Sequence, residues 1–499
     1  MNRRRAGILA HPTSLPGPFA VGDLGPASER FLAWLEAAGQ SLWQVLPLGP
    51  VGEGCSPYVA RSAFAGNPLL ISPERLAEDG LLEPGALAEA PGAGGRVDLA
   101  AAALWKERLL RGAWERFRRA PPPALREELR AFAADPAHAW LGDWELFGAL
   151  RDAHRGRSWV EWPEPLARRD PAALEEARRE LLVETGYQRF VQFHFFRQWR
   201  RLRAAARARG IGILGDVPIY VSHDSADVWA RPELFDLDPA GRPLHVAGVP
   251  PDYFSPTGQR WGNPLYRWDR MAQDGYRWWI ERLRANLELT DWMRLDHFRG
   301  IAAYWQVPAS EPSAMRGRWV PGPGGALLAA LREALGELPL VAEDLGVITP
   351  DVEALRDGAG LPGMRVLQFA FGDDESSHLP HRHVPRCVVY TGTHDNDTTL
   401  GWFVAASPEE RERVLDYVGG DGIEPHWDLI RAAATSVAAW AVVPLQDVLG
   451  LGSEARMNTP GQAAGNWSWR ARADQLGGEE ASRLRRLAQL TGRLANGEA

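Results

Sequence analysis

Residues 292–300 read WMRLDHFRG. A run that opens like a buried strand ends in an arginine, an aspartate, a histidine and a second arginine, and burying an unpaired charge is costly unless it gains a partner or a task. Strand side chains alternate between faces, so Arg294, Asp296 and Phe298 are expected on one side and Met293 and Leu295 on the other. In a barrel the apolar pair would meet an outer layer of helices, with Arg294 and Asp296 facing the interior near its open end. A guanidinium beside a carboxylate favours the charged form that a nucleophile requires. The competing reading is a buried ion pair that only ties the barrel together.

Seven other runs of the same kind flank this one: 6–15, 42–50, 210–221, 339–347, 364–374, 387–397 and 441–450, each apolar at first and polar or charged at its end. Helix-period segments such as FLAWLEAAG and RWWIERLRANLEL lie between several of them. Strands alternating with helices argue for a parallel sheet, and eight such units for an α/β fold of the (β/α)8 TIM-barrel type. The active site of such a barrel is built at the C-terminal ends of its strands, where the charges of this sequence collect.

One connection is far longer than the rest. From residue 70 to residue 205 the chain is mostly helical in pattern, with breaks at 90–95 (APGAGG) and 121–123 (PPP). Its last segment opens with Asp170 and Pro171, a capping residue and a first-turn proline, and closes at Gly210. Residues 1–69 and 206–499 are therefore expected to form the barrel, and 70–205 a helical insertion after the second strand.

Composition narrows the function. The 499 residues are 45% hydrophobic and 24% charged with net charge −8, so there is no electrostatic case for binding nucleic acid or an anionic membrane surface. The opening MNRRRAGILAHPTSLPG is basic, but its apolar run is shorter than a secretion signal needs, and no stretch reaches the length of a membrane span. Cys55 and Cys387 form no CxxC pair. A cytoplasmic enzyme is the expectation, with no cofactor and no metal; the oligomeric state is not readable. The histidines at 378, 381 and 383 have no acidic or cysteine partner in sequence and suit a solvated loop. DLDPAGR (236–242) begins like a calcium loop, but Ala247 occupies the twelfth position, where glutamate is required.

Two more strand ends carry carboxylates. Glu343 follows Val341 at the two-residue spacing, and in TGTHDND Thr393 and Asp395 share parity around His394. Three carboxylates at one end of three strands suit a glycoside-cleaving site, which needs a nucleophile, an acid for the leaving oxygen and polar groups that grip sugar hydroxyls.

The ordered motifs HPTSLPGPFAVGDLG, SPY with SAFAGNP, GDVPIYV, DSADVW, GVPPDYFSPTGQRWGNPLY, RLDHFRG, AEDLG, TGTHDNDT and GSEARMN with GNWSW run across almost the whole chain. In them the sequence resembles the 4-α-glucanotransferases called amylomaltase or disproportionating enzyme, of the α-amylase clan. The resemblance implies that Asp296 is the nucleophile, Glu343 the general acid/base and Asp395 the carboxylate that holds and distorts the sugar. It implies contacts to that sugar from Asp216, Arg294, His297 and His394, and a glucan groove lined by Ser56, Tyr58, Gln259, Trp261, Asp344 and Asn466. An α-1,4-glucan donor and a glucose or maltooligosaccharide acceptor follow as partners, with retention through a covalent glycosyl-enzyme. The loop 249–266 is a candidate cover over the site.

The pattern departs from the family at Val59, Arg61 and LPHRH (379–383), at the edge of the expected groove. Two other classes fit some of the residues: an amylase-like hydrolase with water as acceptor, and an inactive glucan-binding protein. The latter is expected to lack at least one of the three carboxylates, and all three are present.

Overall fold

The computed structural model describes residues 3–92, 94–251, 255–462 and 464–494. Its twelve strands, in chain order, are β1 (Arg5–Leu9), β2 (Leu42–Gln44), β3 (Gly212–Val217), β4 (His245–Val249), β5 (Gln259–Pro264), β6 (Trp292–Leu295), β7 (Ala303–Pro308), β8 (Arg318–Pro321), β9 (Leu340–Ala342), β10 (Gly363–Val366), β11 (Cys387–Tyr390) and β12 (Trp440–Pro444). Eight of them form one all-parallel sheet in the order β10-β11-β12-β1-β2-β3-β6-β9. These are the eight runs expected from sequence. The sheet curls until its two outer strands approach, and Ala342 N–H donates to the Pro362 carbonyl at 2.9 Å across the seam. Short, doubly buried strands such as CVVY and WAVVP are what this architecture demands, because one face meets the interior and the other meets helices.

The interior is filled in layers. At the bottom the Trp292 and Trp440 rings meet edge to face at 4.9 Å, with the Arg5 guanidinium 5.0 Å from the Trp292 ring. A Cβ at position 212 would lie 2.3 Å from the Trp292 ring, so β3 starts with glycine where this plug passes. Higher up, Tyr390 Oη donates to Gln44 Oε1 at 2.9 Å, from β11 to β2 across the barrel. The charged residues sit above this floor.

Outside the strands lie the helices Pro26–Ala37, Leu182–Ala208, Arg277–Leu289, Gly324–Leu335, Pro350–Gly358, Pro425–Thr435 and Gly478–Leu490. The link from β10 to β11 carries only two 3-10 turns, so one of the eight units lacks its α-helix. Between β2 and β3 the chain forms the helices Pro73–Glu78, Leu99–Arg119, Pro123–Ala134, Leu141–Ala153, Glu164–Ala167, Pro171–Glu180 and Leu182–Ala208.

Asp170 caps the amides of Ala172 and Ala173, and Gly210 ends the segment in the left-handed region at φ 70°, as read from sequence. The segment is two helices, because Leu181 leaves helical geometry at φ −100°, ψ 24°. The second helix lies in the barrel's outer layer: it touches β3, and Trp199 Nε1 donates to the Leu289 carbonyl at 2.7 Å. The expected boundary at 205/206 falls inside that helix.

Strand alternation across 292–300 holds only to its end. Met293 and Leu295 are buried in the core, and Arg294 faces Asp216 in register across β3 and β6. Phe298, expected on the Arg294 side, is instead fully buried in the core, because β6 stops at Leu295 and the chain turns into the short helix Arg299–Ala302. A second sheet, antiparallel in the order β5-β4-β7-β8, rises beside the ends of β3 and β6. It turns much of the expected cover loop into a hairpin of β4 and β5; residues 252–254 of that loop lie outside the described residues.

Candidate active site

The register Asp216↔Arg294 puts a carboxylate and a guanidinium side by side on the inner wall. Arg294 Nε donates to Asp216 Oδ2 at 2.9 Å, and its Nη2 bridges Asp216 Oδ2, Asp296 Oδ1 (each 2.8 Å) and Tyr58 Oη (3.1 Å). Tyr58 Oη in turn donates to Asp216 Oδ2 at 2.7 Å, while Ser56 Oγ accepts the Tyr58 N–H at 3.2 Å. Asp216 has lost its water entirely and Asp296 remains partly exposed. Burial, reinforced by Asp296, pushes the Asp216 carboxyl up to about 7 against the pull of Arg294. Its Oδ1 is buried without a hydrogen-bond partner.

Glu343 stands at the end of the neighbouring strand β9, where its backbone N–H donates to the Leu295 carbonyl. One carboxyl oxygen accepts the His297 N–H and the other the Leu345 N–H, both at 2.7 Å. His297 adopts a left-handed backbone at φ 51°, uncommon outside glycine; this turn aims its N–H at Glu343. Burial first, and then the Asp296 charge, raise the Glu343 carboxyl to about 8. A carboxyl that keeps its proton at neutral pH beside one engaged by arginine is the pairing that glycoside chemistry uses.

The third carboxylate comes from the loop after β11. Strand alternation does not reach it, since β11 ends at Tyr390; the loop is shaped by side chains instead. Asp447 anchors both its ends, accepting from Thr391 Oγ1 (2.6 Å), Thr399 Oγ1 (2.7 Å) and Thr399 N–H (2.7 Å). His394 stacks on Tyr58 at 5.1 Å and 13° and is tied to the same cluster. Burial lowers the His394 imidazole and brings that of His297 to about 4, so both are neutral hydrogen-bonding groups at pH 7. Asp395 Oδ1 lies 3.3 Å from His394 Nε2.

Tyr58, Asp216, Arg294, Asp296, His297, Glu343, His394 and Asp395 thus form one connected group. Trp261 borders it, 37% exposed, meeting the His297 ring edge-on at 4.8 Å and donating from Nε1 to Gln259 Oε1 at 3.2 Å. Asn466 ties its own loop, accepting the Thr459 N–H and donating to the Gln462 carbonyl, while its neighbour Trp467 reaches Tyr58 at 6.0 Å.

Asp344 is turned the other way. Only 5% exposed, it accepts the Met364 N–H at 2.6 Å and pairs with Arg356, so it clips the β9–β10 seam. Two of the 378–383 histidines are likewise bound internally, His378 Nδ1 accepting the Val366 N–H and His383 meeting Ser436 Oγ, while His381 lies exposed beside Tyr417 Oη. Sequence reading passed over Asn458, whose Nδ2 donates to Asp395 Oδ1 at 2.6 Å. Its only signal was its place at the end of GSEARMN.

A parallel (β/α)8 barrel with paired carboxylates at the carboxyl ends of adjacent strands defines a glycoside-acting enzyme of the TIM-barrel class. The family model described as 4-alpha-glucanotransferase matches residues 10–475, and the chain belongs to that family. It is 53% identical to a 4-alpha-glucanotransferase of Thermus thermophilus over 98% of this chain and 99% of the relative. To the chloroplastic/amyloplastic 4-alpha-glucanotransferase of Solanum tuberosum it is 48% identical, over 99% and 87%. Among solved structures, the amylomaltase from Streptococcus agalactiae in complex with acarbose superposes with a TM-score of 0.95 at 35% identity, covering 98% of this chain and all of that one.

Proposed function

We propose that this enzyme moves α-1,4-glucan segments from a donor chain to the 4-hydroxyl of glucose or another glucan, with Asp296, Glu343 and Asp395 as its catalytic residues. The observation that carries the assignment of roles is the contrast between two neighbouring carboxyls: Asp296 bonded by Arg294, and Glu343 raised to about 8. Asp296 attacks the anomeric carbon while Glu343 gives its proton to the departing glycosidic oxygen; the C–O bond to the leaving glucan breaks as the bond to Asp296 forms. Glu343, now a carboxylate held by two backbone N–H groups, takes the proton of the acceptor 4-hydroxyl, and that oxygen displaces Asp296. Asp395, its side chain half-exposed, is the carboxylate offered to sugar hydroxyls, and buried Asp216 fixes Arg294 and Tyr58 beside Asp296.

Transfer must outrun hydrolysis. Water stands at about 55 M against acceptor at about 1–10 mM, so net transfer needs a bias of at least about 5×10³ to 5×10⁴ per molecule, roughly 5 to 6.5 kcal/mol. The half-exposed Trp261 ring against His297, on the β4–β5 hairpin, supports this reading as a platform for an acceptor sugar. With maltotriose as sole substrate, chromatography of early products should show glucose together with maltopentaose and longer chains. Steadily rising reducing ends, with nothing longer than the substrate, would favour a hydrolase.

A further inference from the structure

The segment that follows β12 comes back over the mouth of the barrel and grips the Asp395 loop at three points. Asn458 N–H donates to the His394 carbonyl at 3.1 Å, Asn458 Nδ2 to Asp395 Oδ1 at 2.6 Å, and Arg456 Nη2 to the Asp395 carbonyl at 2.6 Å. Arg456 Nε also donates to the Asn458 carbonyl at 2.8 Å, which stiffens the bracket from within. The same segment then carries Trp467, whose N–H donates to the Met457 carbonyl and whose ring lies 6.0 Å from both Tyr58 and His394.

Asp395 is the most exposed of the three carboxylates for which the site was built, at 47% of its side chain, and a carboxylate in that position would rotate freely without a fixed donor. The Asn458 amide supplies one without adding charge. It lands on the oxygen that His394 also approaches, so Oδ1 is committed to the protein and Oδ2 is the oxygen left for a ligand. A carboxylate held in this way needs no reorganisation when the sugar ring flattens, and such preorganisation acts on the transition state more than on the bound substrate.

We propose that Asn458, braced by Arg456, is a positioning residue of the transfer reaction, fixing the rotamer of Asp395 so that one oxygen is presented to the sugar being transferred. The inference rests on the role given to Asp395 above.

The test compares Asn458→Ala, Asn458→Asp and Asp395→Asn with the parent enzyme on maltotriose, recording kcat, KM, the thermal midpoint and the pH profile from 5 to 9. Loss of a hydrogen bond to a charged group predicts that Asn458→Ala lowers kcat about 10- to 100-fold with KM within about threefold. Asn458→Asp is isosteric and keeps the fold, but its new carboxyl can donate to Asp395 only while protonated. The charged and titratable groups facing it are Asp395, His394 and Arg456, with Arg294 and Asp296 beyond His394. Two carboxyls sharing one proton lose it as pH rises, so the alkaline limb of kcat should move at least about one pH unit downward relative to the parent.

An Asn458→Asp enzyme with the parent's pH limits and kcat within twofold would overturn the proposal, as would an Asn458→Ala effect confined to KM or to the thermal midpoint. Near-normal turnover in Asp395→Asn would instead overturn the role of Asp395 itself, which separates the two failures.

Discussion

In the proposed reaction Glu343 has two tasks with opposite demands on its proton, and the site holds that proton with opposing forces. Burial and the Asp296 charge raise its affinity to about 8, while Arg294 and the N–H groups of His297 and Leu345 hold it down. Donor cleavage needs the protonated form, so the rate with donor should fall as pH rises through about 8, read from kcat/KM against pH. The folded-state value lies above the ordinary 4.5, so the fold binds more protons than the unfolded chain between those two pH values and loses stability as pH rises across that window. Glu343→Gln should therefore abolish turnover yet raise the thermal midpoint at pH 9 by about 1–3 °C, with no gain at pH 4, by calorimetry. Asp296→Asn should lower turnover by several orders of magnitude and leave glucan binding largely intact, measured by titration calorimetry. Carboxylates were the legible residues, because a charge at the end of an apolar run demands a reason. Asn458 was not legible: an uncharged amide in a loop costs nothing there and follows no period.

At the scale of elements, the strands were readable because burial on both faces leaves an unmistakable apolar signature, and all eight barrel strands carry it. The reading failed where strands end. Phe298 and the 393–395 loop follow turn geometry and side-chain anchors such as Asp447, neither of which leaves an alternating pattern. The antiparallel β5-β4-β7-β8 sheet was missed because its strands are half exposed and interrupted by proline and glycine, which read as loop. Asp344 shows how adjacent residues can point apart: Glu343 bonds the His297 N–H in the carboxylate cluster while its neighbour joins β9 to β10 through Met364 and Arg356. Removing one partner of a buried ion pair strands the other, so Asp344→Ala should cost about 3–5 kcal/mol in urea unfolding. If its role is the seam, the KM for maltooligosaccharide in the surviving folded enzyme should change less than about threefold.

Over the whole molecule, the ends of the described chain are bound together beneath the barrel. Arg493 is fully buried and donates to the carbonyls of Arg5, Ala434, Ser436, Ala438 and Ala439, all at 2.8–3.0 Å; burial brings its guanidinium down to about 9. Arg493→Met would remove five hydrogen bonds, although Ala439 keeps the Arg5 N–H and Ala434 the Arg4 guanidinium, and should destabilise by about 3 kcal/mol, seen as a lower urea midpoint. Nothing in the sequence marked this residue among its many arginines, since the carbonyls it serves belong to backbone. The order of strands has a further consequence, in time. β1 sits between β2 and β12, yet β12 is made about 430 residues later. At ribosomal rates of about 5–20 residues per second, one edge of the first strand waits roughly 20–90 s for its neighbour. Throughout that interval an apolar edge able to recruit another nascent chain stays open. Codons that slow the ribosome late in the message would prolong that hazard, whereas the same codons before β2 would not.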